Sequence, residues 1–155
     1  MVVHFICRGN TFRSVMAEAY LKSLRIRGGD VISSGTSAAR DRAKNIPNFQ
    51  RTLALLETHG IKQYAKPAHG EQLPAGAHAV GDVVVCFSER VHKELARLVM
   101  KLDDLRVWDI PDIGEPGREP KSSADEPMLM EDVYWEVTRH VDALVAELRL
   151  APASN

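Results

Sequence analysis

The apolar positions of this chain fall into two kinds of pattern. Short, mainly apolar runs occur at residues 2–6, 31–32, 82–87 and 105–109, the third of them unbroken from Val83 to Phe87. Unbroken runs of this kind read as strands covered on both faces, because half-exposed strands alternate instead. Between them lie stretches with apolar residues at roughly helical spacing. Residues 14–27 carry Val15, Ala19, Leu21, Leu24 and Ile26, and Gly28-Gly29 is expected to stop that helix. Pro47 opens a second helix running to about His59, with Gly60 as its stop. Ser88 suits the N-cap of a third, which runs to about Met100. Ser123-Ala-Asp-Glu126 reads as a capping box. After it, Val133, Val137, Val141, Leu144, Val145 and Leu148 line one face of a long last helix. Residues 62–80 and 111–123 are punctuated by Pro and Gly and read as irregular.

Strands that alternate with helices predict an α/β fold of three layers, with a central four-stranded parallel sheet. Right-handed crossovers then bring all strand C-termini to one edge, where ligands bind. The loops at 7–13, 33–42 and 109–121 are expected to converge there. No repeat, linker or low-complexity stretch divides the chain. Residues 1–150 therefore read as a single domain and 151–155 as a frayed tail.

Composition narrows the choice of partner. The 155 residues carry 20 Lys+Arg against 21 Asp+Glu, with no basic run, which argues against a nucleic-acid or other polyanion binder. No apolar stretch is long enough to span a membrane, and the start lacks a signal peptide's charged region and cleavage site. Two cysteines without a secretory signal read as reduced thiols of a cytoplasmic protein. Four spaced Cys/His ligands are missing, so neither a metal nor another cofactor is expected.

The candidate chemistry lies between the first strand and the first helix, in Cys7-Arg8-Gly9-Asn10-Thr11-Phe12-Arg13-Ser14. A loop entering a helix N-terminus points backbone N–H groups into one concavity, and the helix dipole adds positive potential. That suits a tetrahedral oxyanion such as phosphate. Gly9 admits backbone angles that other residues avoid. Arg13 can grip two oxygens of the anion with its planar fork. Cys7 lies at the base of the same cradle, where such a field favours the thiolate, and a thiolate facing phosphorus is a nucleophile. Cys-x5-Arg alone arises often by chance; the Gly, Asn and Ser within it and the strand before it make it specific.

The run Cys7-x-Gly9-Asn10-x-x-Arg13-Ser14-x-Met16-Ala17-Glu18-Ala19 resembles the signature of the low-molecular-weight protein-tyrosine phosphatases, whose fold thioredoxin-coupled arsenate reductases share. The resemblance continues through Ser33-Ser34-Gly35-Thr36, Pro47-x-Phe49-x-Arg51, His59-Gly60-Ile61 and Asp109-Ile110-Pro111-Asp112. It implies that Cys7 forms a phosphocysteine and that Arg13 holds the transferring group, within substrate-binding residues Arg8 to Phe12 and Ser14. Ser14 would hydrogen-bond the thiolate. Asn10 and Ser34 would support the loop. Asp112, or alternatively Asp109, would act as the general acid. The substrate would be a phosphorylated protein or a small aryl phosphate.

The sequence also departs from that pattern. Phe12 stands where the family usually has a second Cys that can shield the nucleophile, and Val15 where it has Pro. Asp112 is followed by Ile-Gly-Glu-Pro where the family usually has Pro-Tyr-Tyr. Phe87 replaces a further family Asp, and the family's His before the third strand is matched, one residue out of register, by His69. Arg8, Arg40 and Arg42 are candidates for a basic rim. Trp108 and Trp135 are expected in the core. Cys86 reads as a small buried hydrophobe rather than a redox partner. Three functions stay open: a phosphomonoesterase, an arsenate reductase, or a catalytically weak module that binds phosphate or phosphopeptide.

Overall fold

The computed structural model describes residues 1–77 and 80–151. Four strands, β1 (Val2–Cys7), β2 (Asp30–Gly35), β3 (Val83–Cys86) and β4 (Leu105–Val107), form one sheet in the order β2-β1-β3-β4. Every pairing is parallel. The helices are α1 (Arg13–Ser23), α2 (Ile46–Thr58), α3 (Glu89–Leu98) and α4 (Glu126–Glu147), with 3-10 turns at Lys62–Tyr64 and Ser123–Asp125.

The strands bury both faces because neighbouring residues feed different cores. Val3, Phe5, Cys7, Val83 and Val85 join α1, α2 and α4 in the larger core. Ile6, Val84 and Cys86 face the other way, onto Val91 and Leu95 of α3. This period of two explains why the sequence shows continuous apolar runs. Ser88 caps α3 as expected, its hydroxyl accepting the Val91 N–H at 3.2 Å.

Several boundaries differ from the expected ones. Helix α1 stops at Ser23 rather than Arg27, and Arg25 takes a left-handed φ of 50°. Leu24 and Ile26 still pack against the core from the turn, so the apolar spacing outruns the helix. The capping box is Ser122 with Asp125, one residue before the expected Ser123 and Glu126. Glu126 instead opens α4 and pairs with Arg51 at 3.1 Å. Trp108 packs on Phe5 and Phe87, but Trp135 is 54% exposed, lying edge-on to His59 and Tyr134. Of the expected tail, Ala151 accepts a hydrogen bond from the Arg27 N–H, and 152–155 lie outside the described residues.

Candidate active site

The segment from Cys7 to Arg13 leaves the C-terminal end of β1 and enters α1. Four of its carbonyls are turned toward the surrounding protein. Those of Cys7 and Arg8 accept the N–H groups of Thr36 and Ser37, at 3.1 and 3.0 Å. That of Asn10 accepts the Gly70 N–H at 3.1 Å, and that of Thr11 the buried Thr52 hydroxyl at 2.7 Å. In a trans peptide the following N–H points opposite to the carbonyl, and no peptide bond among the described residues is cis. The N–H groups of Arg8, Gly9, Thr11 and Phe12 therefore face the interior of the loop. The positive end of the α1 dipole adds to them. Gly35 makes the clamp possible, because a Cβ there would lie 2.5 Å from the Arg8 carbonyl oxygen.

Cys7 sits at the floor of this cradle, 4% exposed. Its sulfur accepts the Asn10 N–H at 3.2 Å and shares a hydrogen bond with the Ser14 hydroxyl at 3.0 Å. Both contacts hold the sulfur at the base of the loop. Asn10 holds a left-handed φ of 52°, a conformation that Asn tolerates better than most residues. Its side-chain amide donates to Ser14 at 3.1 Å and to Ser33 at 2.8 Å.

Arg13 is almost fully buried and reaches the segments that follow β3 and β4. Nη1 donates to the Ile110 carbonyl at 2.7 Å and, more weakly, to that of Phe87 at 3.5 Å. Nη2 donates to the Asp112 carboxylate at 2.9 Å, and Glu115 lies 3.8 Å from Nη1. Nε is buried with no protein partner, so the guanidinium keeps a donor in reserve. Beside the loop a cleft of about 250 Å³ is lined by Thr11, Phe12, Asn48, Arg51, Asp112, Ile113, Glu126 and Met130.

The sequence profile of the low molecular weight phosphotyrosine protein phosphatases matches residues 2–151. The chain belongs to this family. Its fold agrees. Wzb of Vibrio vulnificus in complex with benzylphosphonate superposes with a TM-score of 0.73 at 17% identity, over 94% of this chain and 97% of that one. An arsenate reductase of Archaeoglobus fulgidus gives 0.56 at 20% identity, over 90% and 98%. The YwlE arginine phosphatase of Geobacillus stearothermophilus gives 0.56 at 21%, over 96% and 92%. No curated protein matches the chain. The family is one of phosphatase hydrolases, and no helix among the described residues is long and apolar enough to cross a membrane.

The family resemblance placed Ser34 beside the loop, but Ser33 stands there. Adjacent strand residues face opposite sides, and the Ser34 hydroxyl meets His4 Nε2 at 2.8 Å instead. Burial pushes the His4 pKa below its ordinary value, which keeps that imidazole neutral. The Arg8 side chain pairs with Glu94 at 3.3 Å and is drawn away from the loop; Arg40 pairs with Asp41. His69 packs at a tilt against Phe49, and its Nε2 meets the Arg42 carbonyl. Asp109 is exposed, while Asp112 meets Arg13. Cys86 projects from the sheet face opposite to Cys7, and burial pushes its thiol up to about 11.

Lys66 and Glu71, which no motif marks, and Glu18, which the signature run contains without a role, complete the support. Lys66, its side chain 8% exposed, donates to Asn10 Oδ1 at 2.9 Å and to the Ser33 carbonyl at 2.8 Å. The Glu71 N–H donates to the same Asn10 oxygen at 3.0 Å. The buried Glu18 carboxylate accepts the Ser33 hydroxyl and pairs with Lys22. Lys66→Met is expected to cost about 2 kcal/mol, since it leaves buried acceptors short of a charged donor. A thermal melt would then shift down by roughly 4–8 °C for a chain of this size. An unchanged melt would remove Lys66 from the support of the loop.

Proposed function

We propose that this protein is a thiol-dependent phosphomonoesterase, with phosphotyrosine in proteins as its leading substrate class. The observation that carries the proposal is the Cys7 sulfur, which faces inward N–H groups and is stabilised by Asn10 and Ser14. The Cys7 thiolate attacks phosphorus, so that a P–S bond forms as the ester P–O bond breaks. Asp112, protonated, gives its proton to the departing oxygen. The resulting carboxylate then takes a proton from the attacking water; the new P–O bond forms, the P–S bond breaks, and thiolate and phosphate remain. The loop N–H groups and Arg13 hold the three non-bridging oxygens throughout. Two free thiols fit the reducing, cytoplasmic setting expected from the sequence.

Arsenate reduction is the second reading, favoured by the fold shared with the Archaeoglobus fulgidus enzyme. Cys86 lies on the other face of the sheet, so the thiol that resolves a Cys7–arsenate adduct would come from another molecule. Arsenite formation that needs added thiol, without phosphatase turnover, would support this reading.

The test is hydrolysis of p-nitrophenyl phosphate, with phenyl phosphate as a substrate of poorer leaving group, in excess reductant. Phosphotyrosine and phosphoarginine peptides extend the panel, the latter because one fold neighbour is an arginine phosphatase. Asp112→Asn is expected to slow phenyl phosphate by about 10²-fold or more, the usual contribution of a general acid. It should slow p-nitrophenyl phosphate far less. An equal loss on both would count against Asp112 as the acid.

A further inference from the structure

We infer that Glu115 is a positioning residue that holds Asp112 in place for proton transfer; the inference rests on the phosphatase reading above. The segment after Asp112 lacks the Pro-Tyr-Tyr that the family resemblance leads one to expect, so something else must fix the acid. The structure offers a closed set of hydrogen bonds. Glu115 Oε2 accepts the Asp112 N–H at 2.7 Å, and the Glu115 N–H donates to the Asp112 carbonyl at 3.0 Å. The two residues thus clasp each other reciprocally across one tight turn. Gly114, at φ 90°, supplies the left-handed angle within it.

A second turn locks the first. The Arg118 N–H donates to the Glu115 carbonyl at 2.8 Å, and the Gly114 N–H to the Arg118 carbonyl at 3.0 Å. The Arg118 guanidinium in turn reaches Glu136 of α4. The loop is therefore anchored at both ends, to Arg13 through Asp112 and to α4 through Arg118. Glu115 stands between these anchors, with its carboxylate on the Asp112 backbone and 3.8 Å from Arg13 Nη1. Without it the Asp112 N–H loses its acceptor, and the turn that orients the acid loses its inner bond. A general acid displaced by about an ångström forfeits much of its effect.

The test compares Glu115→Ala and Glu115→Gln on the same two aryl phosphates. Glu115→Ala is expected to lower kcat for phenyl phosphate by about tenfold, part of what a general acid supplies, and that for p-nitrophenyl phosphate by less than about threefold. Glu115→Gln keeps an oxygen acceptor for the Asp112 N–H and should recover most of the loss. Asp112→Asn/Glu115→Ala should be no slower on phenyl phosphate than Asp112→Asn alone, because the two residues act as one unit. Equal losses on both substrates, a Gln variant as slow as the Ala variant, or additive losses in the double variant would overturn the inference while leaving the phosphatase reading intact. Hydrogen exchange gives a readout independent of turnover. The Asp112 amide should exchange faster in Glu115→Ala and not in Glu115→Gln; unchanged exchange in Glu115→Ala overturns the inference even if the wild type hydrolyses neither substrate.

Discussion

Cys7→Ser is expected to lower turnover of p-nitrophenyl phosphate by on the order of 10⁴-fold or more, the scale seen when an attacking group that works as a unit with its partners is removed. The substitution is nearly isosteric, so the cradle around it should survive. The Asn10 N–H and the Ser14 hydroxyl that now meet the sulfur can both bond a hydroxyl instead. The four inward N–H groups are fixed by carbonyl contacts that do not involve the side chain of Cys7. Phosphate binding measured by calorimetry should therefore persist, and the melting temperature should stay within a few degrees. Residual activity above a tenth of wild type would mean that the thiol is not the nucleophile. Loss of phosphate binding together with turnover would mean instead that the cradle had collapsed.

Arg13→Lys should damage both activity and stability, which separates it from Cys7→Ser. Lysine keeps the charge but presents a single point donor instead of a planar fork. It cannot reach the Ile110 carbonyl, the Asp112 carboxylate and a phosphoryl oxygen together. The loss in kcat/KM should be about 10²–10³-fold, as for removal of one preorganised donor to an oxyanion. The Phe87 and Ile110 carbonyls would share one donor at best. Shortage of a buried donor costs about 2–3 kcal/mol here, which for this length is a fall in Tm of roughly 4–12 °C. Steady-state kinetics and a thermal melt check both halves. A variant that loses activity at wild-type Tm would show that the carbonyl contacts contribute little to holding the sheet edge together.

Much of this arrangement is legible in the sequence, and the exceptions share a cause. The strands declare themselves because both faces are buried, which leaves an unbroken apolar run at residues 83–87. The loop declares itself because a strand, a Gly, an Asn and an Arg occur within a few residues. The roles of Lys66, Glu71 and Glu18 are not legible because their contacts with Asn10 and Ser33 span 15 to 61 positions, beyond any local pattern. Ser33 and Ser34 are indistinguishable in composition; only the strand's phase decides which one meets Asn10. No sequence pattern marks Glu115, because the turn that curls it back onto Asp112 depends on Arg118 and the Gly angles. Residue type points Trp135 to the core, but α4 turns it outward.

The reach of Arg13 has a consequence for how the protein is made. Its partners Phe87 and Ile110 lie 74 and 97 positions further along the chain, and Asp112 lies 99. The Cys7 loop and α1 leave the ribosome well before these partners, and the guanidinium lacks its two shortest contacts, to Ile110 and Asp112, until the segment after β4 has emerged. Contacts of this span form late, because loop closure must come first. A nascent or C-terminally clipped chain thus carries the thiol without the assembled anion grip. Competence to handle phosphate becomes a property of the completed molecule, gained in the same cooperative step that seals the sheet.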